Sequence, residues 1–155
     1  MLENCKSAKE RWGGVNDIID RWLQERQELL VDYCALSEIS TFDENNPEHG
    51  QKVRHFCQTL VDYVSAGHFE VYDQLIKEGQ DFGDKKALET AAQLYKIIDA
   101  TTEQLLDFND KYDETDDLST LGSDLSHTGQ QLESRFEAED QMIAVLHVCH
   151  KDEVA

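Results

Sequence analysis

The sequence predicts an all-α protein, specifically an antiparallel up-and-down four-helix bundle with long helices. Apolar residues recur every three or four positions along four stretches, and short polar connections separate these stretches. The chain has 155 residues with one proline and no linker-like segment, so we expect a single domain over 1–155. Strand-like alternation of apolar and polar residues is not seen, which favours helices throughout.

The first helix is predicted from an apolar row that begins near residue 12 and ends before the polar segment 37–46. Gly13 and Gly14 either kink this helix or separate a short leading helix from it. The row comprises Trp12, Val15, Ile18, Trp22, Arg26, Leu29, Tyr33 and Leu36.

The second helix has a strong start signal, since Asn46, Pro47 and Glu48 read as N-cap, first-turn proline and first-turn acid. We expect it to run to about Lys77 and to stop at Glu78-Gly79. Its core row comprises Phe56, Leu60, Tyr63 or Val64, Gly67 and Val71.

Asp84 is placed to cap the third helix, and residues 113–117 form the turn before the fourth. The third row comprises Leu88, Ala91, Tyr95, Ile98, Thr102, Leu105, Asn109 and Tyr112. The fourth row comprises Leu118, Leu121, Leu125, Gly129, Leu132, Phe136, Glu139, Ile143 and Leu146.

Two positions of the second helix stand out from its pattern. Gly67 costs an interior helix position about 1 kcal/mol relative to alanine, and its useful property is close approach, by another helix of the bundle or by a partner. Phe69 is turned away from the core row. It is either an exposed interface anchor beside Asp62 and Glu70 or part of a second core face.

Arg26 and Glu139 occupy rows where core residues are expected. If they are buried, each requires a charged or hydrogen-bonding partner, either the other or Asp20, His68 or Asp140, and they indicate a polar pocket inside the bundle. The other interpretation is that both rows drift to the surface and the charges are solvated.

The net charge of −19 disfavours direct binding to nucleic acid and favours basic protein surfaces. The N-terminus lacks an apolar run, and no segment has the roughly 20 apolar residues that span a bilayer, so we expect a cytoplasmic protein without a membrane partner. Cys5, Cys34, Cys57 and Cys149 are expected to be free and buried in a reducing compartment.

Neither a catalytic site nor a cofactor is predicted. The histidines form no Glu-x-x-His pair of the di-iron kind, and His147, Cys149 and His150 make only a weak metal signal. His68 in mid-helix resembles a phosphotransfer histidine, but acids rather than a lysine surround it.

Several stretches together resemble the Rsd/AlgQ family, most strongly in the middle of the chain. The opening segment, Glu10-Arg11-Trp12-Gly13-Gly14-Val15, is closer to the AlgQ branch. The other stretches are Asp20-Arg21-Trp22-Leu23 with Arg26 and Leu29-Leu30, then Phe56-Cys57-Gln58-x-Leu60-Val61-Asp62-Tyr63-x-Ser65-Ala66-Gly67-His68-Phe69 with Tyr72, and Arg135-Phe136-x-x-Glu139-Asp140.

The resemblance implies an anti-sigma factor that binds the housekeeping sigma factor of RNA polymerase, chiefly its C-terminal helix-turn-helix domain. It implies that alternative sigma factors are favoured in stationary phase, and AlgQ is named for alginate regulation. The implied partner-binding residues are Asp62 and Phe69, with Glu70 adjoining, whereas Asp20-Arg21-Trp22 and Arg26, with Glu139, are expected to hold the bundle in shape.

A second hypothesis belongs to another class. In it, a small cytosolic bundle binds a ligand, a metal or a phosphoryl group through a polar interior around His68, Arg26 and Glu139. The sequence makes no prediction of the oligomeric state.

Overall fold

The computed structural model describes the backbone of residues 2–115 and 117–150 and the side chains of 14–115 and 117–149. The predictions made for the side chains of Cys5, Trp12 and His150 fall outside the described residues. The described residues contain helices and no strand, which confirms the all-α class. The helices are α1 (Leu2–Ser37), α2 (Pro47–Ala66), a π-helical segment (Gly67–Val71), α3 (Tyr72–Asp81), α4 (Lys85–Tyr112) and α5 (Leu121–Leu146), followed by a 3₁₀ turn (Val148–His150).

The predicted second helix is α2, the π-helical segment and α3 joined end to end. Its start is confirmed, because the Asn46 side chain accepts the backbone N–H of Glu48 at 3.0 Å. The start of α4 is confirmed in the same way, with the Asp84 side chain accepting from the N–H of Ala87 at 3.0 Å. Local capping chemistry therefore sets both helix starts.

The predicted stop at Glu78-Gly79 is wrong, because α3 continues to Asp81. The turn that follows contains Gly83, at a φ of 64°, in the left-handed region that favours glycine. Gly79 is buried instead, and a Cβ there would lie 2.7 Å from Leu146 Cδ2. This glycine serves close packing of α3 against α5 rather than chain termination.

The helices pack as a bundle, α1 against α2 and α4 along α5, with α2 and α3 against α4 and α3 also against α5. Short connections join sequential helices, which makes the neighbours antiparallel. Helix α1 passes residues 13 and 14 as one continuous helix, so these glycines do not separate a leading helix. None of the described helices combines the length and the apolar character needed to cross a membrane.

The buried row of α5 differs from the predicted one. Gly129 and Phe136 are only half-buried, while Thr128 and Arg135 face the core. The buried row advances by four and three in alternation, with Ala138 buried beside it, and comprises Leu121, Leu125, Thr128, Leu132, Arg135, Glu139, Met142 and Leu146. The predicted fourth helix also begins too early at Leu118, which lies in the turn.

The expectation of buried cysteines holds for Cys57 alone among those whose side chains are described. Cys57 is buried, whereas Cys34 and Cys149 are exposed, and all three are free. Burial raises the pKa of the Cys57 thiol to about 12, which makes it inert.

Candidate protein-binding surface

The π-helical segment interrupts the second long helix beside α1. The N–H of Tyr72 donates to the C=O of Gly67, which is the wider hydrogen bond of a π-helix. One turn earlier, the Trp22 indole N–H donates to the C=O of Tyr63 at 3.3 Å, and the Gly67 N–H reaches the same carbonyl. A side chain that enters the helix hydrogen-bond ladder is a known cause of such irregularities.

The outer face of this segment carries the aromatic residue that the sequence singled out. Phe69 is 85% exposed, which decides against a second core face, and Glu70 beside it is also exposed. Asp62 lies on the exposed side of α2, where its Oδ1 accepts from Gln58 Nε2 at 3.2 Å. Asp62 and Phe69 are separated by about two helical turns, roughly 10 Å along the axis, so they share one face.

Helix α1 adds two charged residues to this face: Glu25, which the sequence reasoning missed, and Arg21, which was expected to hold the bundle in shape but is largely exposed. Arg21 Nη2 lies 3.6 Å from Glu70 Oε1, and both side chains are largely exposed. Glu25 is half-buried, and its Oε2 has no hydrogen-bond partner among the described residues. The spacing of Arg21 and Glu25, one turn apart and beside the core row, was the available signal.

Glu25 sits in a strongly negative environment. Burial raises the pKa of its carboxyl, and neighbouring carboxylates raise it further, while Arg21 acts in the opposite direction. Those carboxylates belong to Asp62, Glu70 and Glu28. We call the region formed by Asp62, Phe69, Glu70, Glu25 and Arg21 the Phe69 surface. It presents an exposed apolar side chain with a mainly negative rim, which is complementary to a basic surface with an apolar recess.

Arg26 and Glu139 contact each other inside the bundle. Glu139 is 1% exposed and accepts hydrogen bonds from the hydroxyls of Tyr63, at 2.6 Å, and of Tyr72. Arg26 Nη2 lies 3.4 Å from Glu139 Oε1, and Arg135 Nε lies 3.4 Å from Glu139 Oε2. We call these five residues the Glu139 cluster.

The two arginines of the cluster differ in their surroundings. Arg26 is partly buried, and its Nη1 lies 2.6 Å from Asp140 Oδ1, an exposed carboxylate. Arg135 is fully buried, and Nη2 donates to the Tyr72 hydroxyl at 3.1 Å. Its Nη1 donates to α4, reaching Ile98 O, Thr101 Oγ1 and Thr102 Oγ1 at 3.3, 3.2 and 2.7 Å.

Aromatic rings enclose the charges. The Trp22 and Tyr63 rings stack at 5.0 Å between centroids, and the Arg26 guanidinium lies 4.7 Å from the centre of the Phe136 ring. Burial raises the pKa of the Glu139 carboxyl, while Arg135 and the tyrosine hydroxyls act in the opposite direction. Arg135 Nε lies 3.4 Å from Glu139 Oε2 without forming a hydrogen bond, but the other polar groups of the cluster are bonded to one another or to α4.

Asp20 and His68 do not belong to the cluster. Asp20 is exposed on α1. His68 is half-buried, with Nε2 3.1 Å from Thr102 Oγ1 and Nδ1 3.3 Å from the Tyr95 hydroxyl. Burial lowers the pKa of His68, as does Arg135, and this favours the neutral imidazole. With hydroxyls at both ring nitrogens, His68 is poorly placed to accept a phosphoryl group.

The described residues contain no group of three His, Cys, Asp or Glu side chains placed to hold a metal ion. His147, one of the predicted weak ligands, is buried with Nδ1 2.8 Å from Glu78 Oε2 and Nε2 3.0 Å from Asn16 Oδ1. Cys149 is exposed. Of the residues in the weak metal signal, His147 therefore lies in a buried contact with Glu78.

An exposed aromatic residue within an acidic rim is typical of the surfaces of protein-binding modules. Comparison with known proteins identifies its relatives. A family model described as "Regulator of RNA polymerase sigma(70) subunit, Rsd/AlgQ" matches residues 1–147. The chain belongs to this family.

Individual members are similar over nearly their whole length. The "Regulator of sigma D" of Yersinia pseudotuberculosis serotype O:1b is 36% identical over 148 residues, covering 92% of this chain and 87% of that protein. The protein of the same name from Enterobacter sp. (strain 638) is 37% identical over 165 aligned positions, covering 100% and 98%. That of Yersinia enterocolitica serotype O:8 is 35% identical over 148 residues, covering 92% and 88%.

Proposed function

We propose that this chain is an anti-sigma factor that binds the primary, sigma-70-type subunit of RNA polymerase. The domain bound is chiefly the C-terminal helix-turn-helix domain of sigma. Binding withholds sigma from the polymerase and favours alternative sigma factors, with its greatest effect in stationary phase. The observation that carries the proposal is the exposed Phe69 within an acidic rim, on a chain of the Rsd/AlgQ family.

The charge of the two partners supports this choice of domain. A helix-turn-helix that reads promoter DNA presents Arg and Lys to phosphates and base edges. This chain carries a net charge of −19, and its Phe69 surface places Asp62, Glu70 and Glu25 around one cation, Arg21. An acidic surface of this kind attracts the basic face of the DNA-reading domain and competes with DNA for it.

The residues of the surface have different roles in this proposal. Phe69 is the apolar anchor, because burying an exposed phenylalanine contributes about 1.5–3 kcal/mol. Asp62 and Glu70 pair with basic side chains of sigma. Glu25 supplies a carboxylate oxygen that has no hydrogen-bond partner within the described part of the chain and gains one from a partner's guanidinium or ammonium group.

The test is titration calorimetry of the purified chain against the isolated C-terminal domain of the primary sigma factor, at about 50 and about 200 mM salt. Saturable binding is expected, weaker at the higher salt. Phe69→Ala should weaken it at least about tenfold and Asp62→Asn by less, as for an anchor and a rim charge.

Leu106→Ala is the matched control, since Leu106 is an apolar residue that is 40% exposed on a different helix, α4. The Leu106→Ala variant should bind the sigma C-terminal domain with the same affinity as the unmodified chain. Absence of binding to this domain and to whole sigma would overturn the proposal. If Phe69→Ala and Leu106→Ala lost the same affinity for sigma, the Phe69 surface would not be the binding site.

A further inference from the structure

Tyr72 links the Glu139 cluster to the Phe69 surface. Its backbone N–H closes the π-helical segment on the C=O of Gly67, and its side chain turns back over the same glycine. A Cβ at Gly67 would lie 2.9 Å from the Tyr72 hydroxyl oxygen and 3.0 Å from its Cζ. The ring of Tyr72 is therefore held against the first residue of the segment that carries Phe69.

The hydroxyl of Tyr72 is fixed from two sides. It donates to Glu139 Oε2 and accepts from Arg135 Nη2 at 3.1 Å. Glu139 is itself fixed, because the Tyr63 hydroxyl donates to its other oxygen at 2.6 Å. Tyr63 and Tyr72 lie on either side of the π-helical segment, so one carboxylate of α5 holds the helix before and after it.

We infer that Glu139 is a positioning residue for the Phe69 surface: by holding Tyr63 and Tyr72, it keeps the π-helical segment in the geometry that presents Phe69 and Glu70 to the partner. The inference rests on the proposed function, since it concerns how that surface is presented. Glu139 is 1% exposed and does not touch a partner, so its effect on binding passes through Tyr63 and Tyr72.

The physical reason lies in the helix geometry. Phe69 and Glu70 lie inside the π-helical segment, whereas Gly67 and Val71 at its ends are buried. If the segment returned to ordinary α-helical hydrogen bonding, each of its residues would rotate relative to the core. Phe69 and Glu70 would then turn relative to α1, where Arg21 Nη2 lies 3.6 Å from Glu70 Oε1, and the surface would lose its fit.

The test is a double-mutant cycle in the calorimetric assay with the sigma C-terminal domain, combining Tyr72→Phe with Phe69→Ala. Tyr72→Phe alone should weaken binding roughly fivefold, within the range of coupled neighbouring sites. In the Phe69→Ala background it should change the affinity by less than about twofold, because the residue through which it acts has been removed. Glu139→Gln should behave like Tyr72→Phe.

Tyr112→Phe is the matched control. The Tyr112 hydroxyl also donates a short hydrogen bond to a carboxylate, that of Asp124, and the residue is buried like Tyr72. It lies on α4, ten residues beyond Thr102, which is about 15 Å along the helix. Tyr112→Phe should leave the affinity unchanged.

A second readout does not need the partner. Amide hydrogen exchange of residues 67–72 should accelerate in Tyr72→Phe and Glu139→Gln and remain unchanged in Tyr112→Phe. If Phe69→Ala weakens binding but Tyr72→Phe does not, the inference is refuted while the proposed function stands. Unaltered exchange at 67–72, or additive losses in the cycle, also refute it. If the unmodified chain does not bind sigma, the proposed function itself fails.

Discussion

Replacing Arg135 by methionine tests the energetics of the buried charges. Arg135 is 0% exposed, and its guanidinium supplies Glu139 with a counter-charge at 3.4 Å. Methionine fills a similar volume but donates no hydrogen bond, so the Ile98 carbonyl and the Tyr72 hydroxyl each lose a donor. A buried carboxylate then remains with only the partly buried Arg26 as a cation.

The expected loss is large on the scale of this protein's stability. Removing one partner of a buried ion pair costs about 3–5 kcal/mol. A domain of this size has a free energy of unfolding of roughly 5–15 kcal/mol, so the loss amounts to a fifth of the stability or more. At about 2–4 °C per kcal/mol, the melting temperature should fall by roughly 6–20 °C.

Urea unfolding at neutral pH, followed by circular dichroism, measures this loss directly. Arg21→Met is the control, because Arg21 makes an ion pair at 3.6 Å with both side chains largely exposed. That variant should stay within about 0.5 kcal/mol of the unmodified chain. A loss below about 1 kcal/mol for Arg135→Met would refute the argument, since the carboxylate would then not depend on this cation.

Three further predictions follow from other contacts. Gly67→Ala should lower the free energy of unfolding by up to about 2 kcal/mol, because a Cβ 2.9 Å from the Tyr72 hydroxyl costs up to about 3 kcal/mol and better helix propensity offsets about 1 kcal/mol; a stabilised variant in thermal unfolding would contradict this. Iodoacetamide at mildly alkaline pH should modify exposed Cys34 and spare buried Cys57, as read by peptide mass spectrometry; equal labelling would contradict the burial of Cys57. Sigma binding should weaken as the pH falls from 7 through the raised pKa of Glu25, because protonation removes the negative charge, and Glu25→Gln should flatten this part of the affinity profile; an unchanged profile would exclude Glu25.

The helices and their starts could be predicted from the sequence because both depend on local chemistry. A helical period of apolar residues and the caps at Asn46 and Asp84 act within a few positions of the chain. Which residues of α5 face the core depends on more than their hydrophobicity. The predicted core row contained Phe136, which is half-buried, rather than Arg135. Arg135 is buried because Tyr72 and residues of α4 form hydrogen bonds with its guanidinium. Those contacts join positions more than 30 residues apart.

The candidate site was predictable in part for the same reason. The helical period turned Phe69 away from the core row, and the structure leaves it 85% exposed. Glu25 was missed because its place on the surface depends on the packing of α1 against α2. Of the polar residues, Arg26 and Glu139 meet, whereas Asp20 and His68 lie elsewhere. The partner-binding roles of Asp62, Phe69 and Glu70 remain predictions.

The charged residues of the Glu139 cluster are better explained by the side-chain orientations that they fix than by a gain in stability. Buried ion pairs seldom stabilise a fold more than well-packed apolar residues of similar volume, so stability alone gives no reason for Arg135 and Glu139 in the core. A carboxylate that accepts from both Tyr63 and Tyr72 does what an apolar side chain cannot, because hydrogen bonds fix the direction of both phenols. Because these tyrosines flank the π-helical segment that bears Phe69, the hydrogen bonds of Glu139 give the position of this exposed side chain a cause in the core, as we have inferred.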